Sequence, residues 1–400
     1  MPTTHHCQCC NTNGFCKDHQ VQCNAHPKVF YYQQDSTGYP KNQQDPKPQS
    51  LELDSSEAAI FRSVKLLAQG GYNVVWLVRL HSFFEVTTSV TDGQGNPQST
   101  TRSFNEYVLR LPCGDALLPY QITNDVAFKK FITTKLPHVP VPLGFFYHAT
   151  QEHSTSFIAE EYIDATPLSS NWMSLKPEQK ESMAKQLAKI TVDLADTHFA
   201  MIGGLNPNDF QPGPTVEGAK IFKGRYKFHS KRYYPIGPYR TTKEYILACY
   251  DREIAYYSHA DEEDIEKSLF QKVRDSDFIG QLNKKRDVLA STDMADEPFT
   301  LVHGDFHGRN ILTKGDQILG ILDWEFAGSY PVSETLSGGG IDVVDADSEE
   351  LDEENTLWDR RIRGFIHEEA GARRWKGGKL DLLLGDGNLE LARARVEMFP

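Results

Sequence analysis

Positive charge is in short supply. The 400 residues hold 42 Lys and Arg against 55 Asp and Glu, a net charge of -13. That balance excludes the non-specific nucleic-acid binders, which need a basic surface, and leaves room for a local cationic pocket. No run approaches the ~18 apolar residues of a membrane span, so no membrane partner is expected. No arginine precedes Arg62, unlike an Arg-rich mitochondrial leader, and the polar stretch from Met1 to Cys10 lacks the apolar centre of a secretory signal. A cytoplasmic protein is therefore expected. Internal repeats are absent. Cysteine is scarce beyond the start: Cys7, Cys9, Cys10, Cys16 and Cys23 account for five of the seven, with His5, His6, His19 and His26 among them. Two clean Cys-x2-Cys pairs of the zinc-site kind are missing, so the segment reads as a disordered tail with incidental affinity for metal. Cys113 and Cys249 stand alone and read as structural thiols.

Hydrophobic residues make up 39% of the chain, enough for a core. Residues 1–50, rich in Gln, Asn, Asp and Pro, show no period and read as tail. Order is expected from Leu51. Val64–Leu67 and Tyr72–Leu80 read as strands around the turn Ala68-Gln69-Gly70-Gly71. Thr91–Arg102 reads as a polar hairpin loop, Phe104–Leu111 as a third strand closed by Pro112, Asn124–Thr134 as a short helix and Phe157–Ile163 as another strand. Helices dominate afterwards. Lys176–His198 carries Met183, Leu187, Ile190 and Leu194 at helical spacing, with Pro177 where a first turn tolerates it. Thr242–Ser258 is a second amphipathic helix whose tyrosines, Tyr245, Tyr250, Tyr256 and Tyr257, read as packing groups. Asp261–Val288 reads as one charge-rich helical stretch. The acidic run from Asp342 to Glu354 reads as a solvated loop, followed by a basic helical segment with Arg360, Arg361, Arg363, Arg373 and Arg374. The fold class is α+β, a small β-rich N-terminal part followed by a larger, mostly helical one.

The chemistry concentrates in Leu301-Val302-His303-Gly304-Asp305-Phe306-His307-Gly308-Arg309-Asn310-Ile311-Leu312. His303, Asp305 and Asn310 have the His-x-Asp-x4-Asn spacing of a kinase catalytic loop. Phosphoryl transfer needs a carboxylate to orient the attacking hydroxyl and take its proton, and an oxygen ligand for magnesium beside the phosphate. Asp305 fits the first role and Asn310 the second. Asn310–Thr313 and Gln317–Leu322 read as a hairpin that brings Asp323 back beside Asn310, an oxygen pair suited to magnesium. Trp324 is expected to pack beneath, and Glu325 is either a further acidic group of the site or a carboxylate that lies at the surface or behind the groups that touch the metal.

These paired motifs, His303 to Asn310 and Ile321-Leu322-Asp323-Trp324-Glu325, closely resemble those of the aminoglycoside phosphotransferase family, itself similar to choline/ethanolamine and hydroxylysine kinases. The resemblance runs from about Val64 to Val332. It takes in Gly70-Gly71-Tyr72-Asn73, Arg110-Leu111-Pro112-Cys113, Val139-Pro140-Val141-Pro142 and Phe157 to Ile163. It implies a two-lobed protein-kinase-like fold, with ATP and Mg2+ as cofactors and transfer of the γ-phosphate to the hydroxyl of a small molecule. Carried over by motif, Gly70, Gly71 and Asn73 belong to the turn over the phosphates, and Glu160, Glu161 and Tyr162 to a hinge whose backbone meets adenine. Arg110 falls where many kinases place the phosphate-pairing lysine, and Asp125 near its partner glutamate. On this reading residues 1–50 are a tail, 51–162 a nucleotide-binding lobe, 163–335 a helical catalytic lobe and 336–400 an acidic loop with a helical tail.

Arg110 and Asp125 are departures from the family pattern. Arginine keeps the charge and can grip phosphate with two donors, yet it is bulkier than lysine. The alternative to an active kinase is thus a catalytically weak or silent nucleotide-binding protein. A protein kinase is disfavoured, because Trp-Glu follows Asp323 where Phe-Gly is expected and no Ala-Pro-Glu ends an activation segment.

Overall fold

The computed structural model describes residues 57, 59–91, 97–220, 224–265, 267–337, 340–376 and 378–385, with 391, 394 and 398. The Cys/His tail, residues 1–50, lies outside them. The chain divides into two compact units, one holding the residues up to Ile122 with Pro142–Tyr162, the other Thr123–Val141 with Ile163 onward.

Unit 1 is a five-stranded antiparallel sheet in the order β1-β2-β3-β5-β4. Its strands are β1 (Phe61–Gln69), β2 (Asn73–Thr91), β3 (Pro97–Pro112), β4 (Gly144–His148) and β5 (Phe157–Glu160). Valine and aromatic residues suit the pleat, and Phe61, Val64, Trp76, Val78, Leu109 and Ala159 form its core. The polar stretch expected as a loop is largely strand: Val86–Thr91 pair with Pro97–Arg102. Threonine explains the difference. It is a strand former, and Thr87 and Thr101 join across the ladder through their hydroxyls at 2.9 Å. Residues 92–96 lie outside the described set.

Helix α1 (Tyr120–Lys135) spans the division between the units. Unit 2 continues with β6 (Thr166–Pro167), α2 (Leu168–Asn171) and α3 (Pro177–Ala195). The expected stripe on α3 is buried, from Met183 and Leu187 to Ile190 and Leu194. A short ribbon, β7 (Gly204–Leu205) with β8 (Pro212–Gly213), precedes α4 (Thr242–His259). The tyrosines of α4 are core, as expected. The single helical stretch expected over Asp261–Val288 is two helices, α5 (Lys267–Asp275) and α6 (Phe278–Ser291). Ser276 and Asp277 interrupt it; such side chains compete for backbone bonds, and the Ser276 hydroxyl donates back to the Lys272 carbonyl at 2.8 Å.

Strands β9 (Phe299–Val302) and β12 (Gly328–Pro331) pair with each other, and β10 (Ile311–Lys314) with β11 (Gln317–Ile321) and β6. The acidic run is loop only to Asp347. At Glu349 it becomes α7 (Glu349–Ala372), followed by α8 (Lys379–Leu383). Ser348 caps α7 by accepting from the Leu351 amide at 3.4 Å, and Glu349, Glu350 and Asp352 occupy the first turn. Negative charge there complements the helix dipole, so the same run that repels in solution favours a helix start.

The segment between β8 and α4 is fastened to α4 by a buried ionic knot. Glu253 accepts two bonds from Arg225 (2.7 and 2.8 Å) and one from Arg252 (2.9 Å), and Arg252 also donates to Glu217 at 2.8 Å. Beside it, His229 donates from Nε2 to the Thr215 carbonyl at 2.6 Å and takes the Tyr234 hydroxyl on Nδ1, which fixes a neutral tautomer. Burial pushes the His229 pKa down to about 4. The sign follows. Between pH 6.5 and 4 the unfolded chain binds a proton there that the folded chain refuses, so this stability is intact above pH 6.5 and drains as pH falls towards 4. Its full size is about 3 kcal/mol. In melting curves from pH 7 to pH 4.5, His229→Gln should therefore lose less melting temperature than the wild type. Parallel slopes would count against a buried neutral imidazole.

Candidate active site

The loop that carries the His-x-Asp-x4-Asn motif starts at the end of β9 and finishes where β10 begins. Gly304 has φ +80°, a left-handed conformation, and a Cβ on it would come within 2.5 Å of the Phe326 carbonyl oxygen. Both facts demand glycine. Gly304→Ala should cost about 2 kcal/mol or more through strain and clash, read as a drop in melting temperature. An unaltered melt would show that the loop can relax around a methyl group.

Asp305 emerges next, partly exposed. Its Oδ2 accepts from Asn310 Nδ2 at 2.9 Å and from His307 Nε2 at 3.1 Å. Its Oδ1 accepts from Lys220 Nζ at 2.6 Å. Burial pushes the carboxyl up, but the His307 bond and the Lys220 charge outweigh it and hold the group well below the usual carboxylate range. Asp305 is thus an anion with both oxygens engaged.

His303 is almost fully buried. Nε2 donates to the Leu322 carbonyl at 2.8 Å, and Nδ1 accepts the Asp305 amide at 3.2 Å. With both nitrogens committed to backbone and burial driving its pKa down to about 4, the ring is neutral and acts as a strut between the Asp305 turn and the strand before Asp323. Trp324 packs against it, tilted by 55° with ring centres 4.4 Å apart, and is fully buried.

Asn310 spends its amide nitrogen on the Asp305 carbonyl and carboxylate, both at 2.9 Å. Among the described residues nothing donates to its Oδ1. The hairpin then returns as expected: Ile311 pairs with Ile321, and the Leu322 amide donates to the Asn310 carbonyl at 2.7 Å. Asp323 follows directly, in the left-handed region at φ 58° and ψ 56°. Strain on a non-glycine residue at such a point is characteristic of functional turns. Glu325 is buried, not a surface carboxylate, and its carbonyl accepts from Asn124 Nδ2 at 3.0 Å. Asn124 also donates to the Ala327 carbonyl at 2.8 Å, bracing the turn from α1.

Unit 1 holds the remaining candidates. The Gly70 amide donates to the Asn73 carbonyl at 2.9 Å, closing the β1–β2 turn beside Gly71. A Cβ on Gly70 would meet only the Asn73 oxygen, at 3.8 Å, so the turn itself does not demand glycine there. Arg110, buried near the end of β3, has its guanidinium 3.8 Å from the Glu160 carboxylate on β5. After β5, the Glu161 amide donates to the Leu143 carbonyl at 2.9 Å, and its carboxylate takes Arg102 with both oxygens. Tyr162 ends the unit. Asp125, fully buried on α1 in unit 2, accepts Lys129 one turn later at 2.7 Å. The sequence reading passed over Lys129, His307, Asn124 and Lys220. His307 alone carried a signal there, inside the loop motif.

A profile of the phosphotransferase enzyme family, APH, matches residues 88–355, more than half of the chain. Among curated proteins, a subtelomeric hrmA-associated cluster protein of Aspergillus fumigatus is 26% identical over 141 residues, covering 35% of this chain and 24% of that one. The mitochondrial protein "altered inheritance of mitochondria protein 9" of Eremothecium gossypii is 29% identical over 117 residues, covering 26% and 19%. The chain thus spans a quarter or less of the curated relatives it matches. Among solved structures, a thermostable mutant of aminoglycoside phosphotransferase APH(4)-Ia, in ternary complex with ADP and hygromycin B, is 14% identical with TM-score 0.43, covering 84% of this chain and 94% of that one. A putative fructosamine-3-kinase from Thermobifida fusca is 15% identical with TM-score 0.38, covering 84% and 94%.

Proposed function

This chain belongs to the phosphotransferase enzyme family, with its α+β protein-kinase-like fold, and from that premise we propose that it is an ATP- and magnesium-dependent kinase that moves the γ-phosphate of ATP to a hydroxyl of a small molecule. The observation that carries this reading is the loop itself. Asp305 is an ionised carboxylate held by Asn310, His307 and Lys220, on a turn that only Gly304 permits.

In the reaction the acceptor hydroxyl donates to the Asp305 carboxylate. Its oxygen bonds to the γ-phosphorus as the bond from that phosphorus to the bridging oxygen of ADP breaks, and the proton passes to Asp305. A depressed pKa makes Asp305 a weak base, which a loose transition state tolerates because little proton transfer is needed before the phosphoryl group has moved. His303 is a positioning residue; it carries no proton to substrate. Asn310 Oδ1 and the Asp323 carboxylate would hold magnesium, and both are the hard oxygen donors this ion takes. Nucleotide oxygens would complete the ligand set. Magnesium, when bound, neutralises charge developing on the phosphates.

Residues 51–162 serve as the nucleotide-binding part on this reading, 163–335 as the catalytic part and 336–400 as its C-terminal continuation. Gly70, Gly71 and Asn73 belong to the turn that covers the phosphates and Arg110 is the cation that pairs with them, while Asp125 is held by Lys129. The Glu160–Tyr162 backbone takes adenine, and among the described residues nothing donates to the Glu161 carbonyl. A cytoplasmic site of action is part of the same proposal, since ATP is the donor. The test is a panel of sugars, amino alcohols, hydroxy acids and aminoglycosides screened for magnesium-dependent ADP release. Release with at least one acceptor is expected. Nucleotide binding without release across the panel would mark a silent binder.

A further inference from the structure

Lys220 comes from a segment with no motif, 85 residues before Asp305, yet its ammonium donates to Asp305 Oδ1 at 2.6 Å and to the Gly304 carbonyl. The Phe326 ring lies beneath it, 5.7 Å from the nitrogen. Its backbone is anchored as well: the Lys220 amide donates to the Glu217 carbonyl at 2.9 Å, and the Glu217 side chain is fastened to Arg252 in the buried ionic knot. Gly218, between them, sits so close to His229 that a Cβ would fall 2.8 Å from its Nδ1. This lysine is built in, and it does not sweep the solvent as a surface lysine does.

Oδ2 of Asp305 is committed to its own loop through Asn310 and His307. Oδ1 is the oxygen left for an acceptor hydroxyl, and Lys220 already stands on it. Any hydroxyl that donates there becomes a neighbour of a fixed ammonium. Two consequences follow for an acceptor carrying its own ammonium near the reacting hydroxyl. The charge of Asp305 that would attract it is already neutralised, and a second cation within about 4–5 Å of Lys220 is repelled. The remaining N–H of Lys220 has no partner among the described residues and can donate to a hydroxyl, carboxylate or phosphate oxygen.

We infer that Lys220 sets the charge of the acceptor: the substrate is a neutral or anionic hydroxy compound, such as a sugar or hydroxy acid, and compounds with an ammonium beside the reacting hydroxyl are excluded. This rests on the kinase reading for the word substrate, but the occupancy of Oδ1 can be tested without turnover.

Lys220→Ala in the full chain should open an ammonium-sized space on Oδ1. Ethylammonium chloride, titrated against matched sodium chloride, should give a saturable rise in melting temperature with this variant, and none with the wild type or with Lys220→Ala/Asp305→Asn. Equal responses from all three overturn the inference. In a second arm, ADP release is measured with a hexose, a sugar phosphate and hygromycin B, for the wild type, Lys220→Ala and Lys220→Met, the last keeping the packed stem. The ratio of kcat/KM for the neutral and anionic acceptors to that for hygromycin B should fall on the order of tenfold or more in the variants. An unmoved ratio, or a wild type that prefers hygromycin B, overturns the inference while leaving the kinase reading intact. A positive ethylammonium arm with no ADP release from any acceptor does the reverse, supporting Lys220 as the occupant of Oδ1 and removing the kinase.

Discussion

Asp305→Asn should slow magnesium-dependent ADP release on the order of 10³-fold and leave nucleotide affinity within a few-fold of the wild type. The amide keeps the shape of the carboxylate and can still accept from Lys220 or Asn310, so the loop has no reason to collapse. What disappears is the negative charge that orients the hydroxyl and receives its proton. Stability should change little, because the Lys220–Asp305 pair is about a quarter exposed on each side and such pairs contribute modestly. Single-turnover rates, with calorimetric titration of an ATP analogue, separate chemistry from binding. A variant that folds, binds nucleotide and turns over normally would remove Asp305 from the chemistry.

At Asp323 the largest effect should fall on the metal. Asp323→Asn should raise the magnesium concentration for half-maximal rate at least tenfold, and by more than Asn310→Ala does, because a full charge is lost where the other site loses a dipole. Asparagine is the right replacement, since the residue sits at φ 58° and asparagine tolerates the left-handed region. Asp323→Ala should show the same metal defect plus about 1–2 kcal/mol of strain. Magnesium titrations at saturating ATP, paired with melting curves, divide metal binding from turn geometry. Should both variants give wild-type magnesium curves and differ only in melting temperature, Asp323 is a turn residue and nothing more.

The hairpin around the motif was legible because its geometry is local. Asp305, Asn310 and Asp323 are tied by one short hairpin, so spacing alone brings them together. The helical stripe on α3 was legible for the same reason, its period being contained within one element. Contacts that close over long stretches of chain left no trace: Lys220 reaches Asp305 across 85 residues, and Asn124 reaches Glu325 across 201. Neither lysine nor asparagine in a loop or a helix announces such a partner. The threonine ribbon and the acidic helix start were misread because composition was weighed without position. Polar threonines pair well in a strand, and carboxylates suit the first turn of a helix.

The last long helix has a practical bearing on where the protein can be cut. Similarity to the family ends at residue 355, in the second turn of α7. Yet Ile362, Ile366 and Ala370, in its second half, are buried, and Trp358 packs edge-on against Trp172 with ring centres 5.1 Å apart. Glu354 gathers the indoles of Trp172 and Trp358 (2.8 and 2.9 Å) and the ammonium of Lys180 (2.5 Å) on one carboxylate oxygen, and Arg373, just past the helix, clasps Asp193 on α3 at 2.7 Å. An expression boundary drawn from homology would remove Trp358 and Arg373 from this clamp and uncover Trp172, whereas one placed beyond residue 385 keeps the helix, its salt links and the hydrophobic face of α3 together.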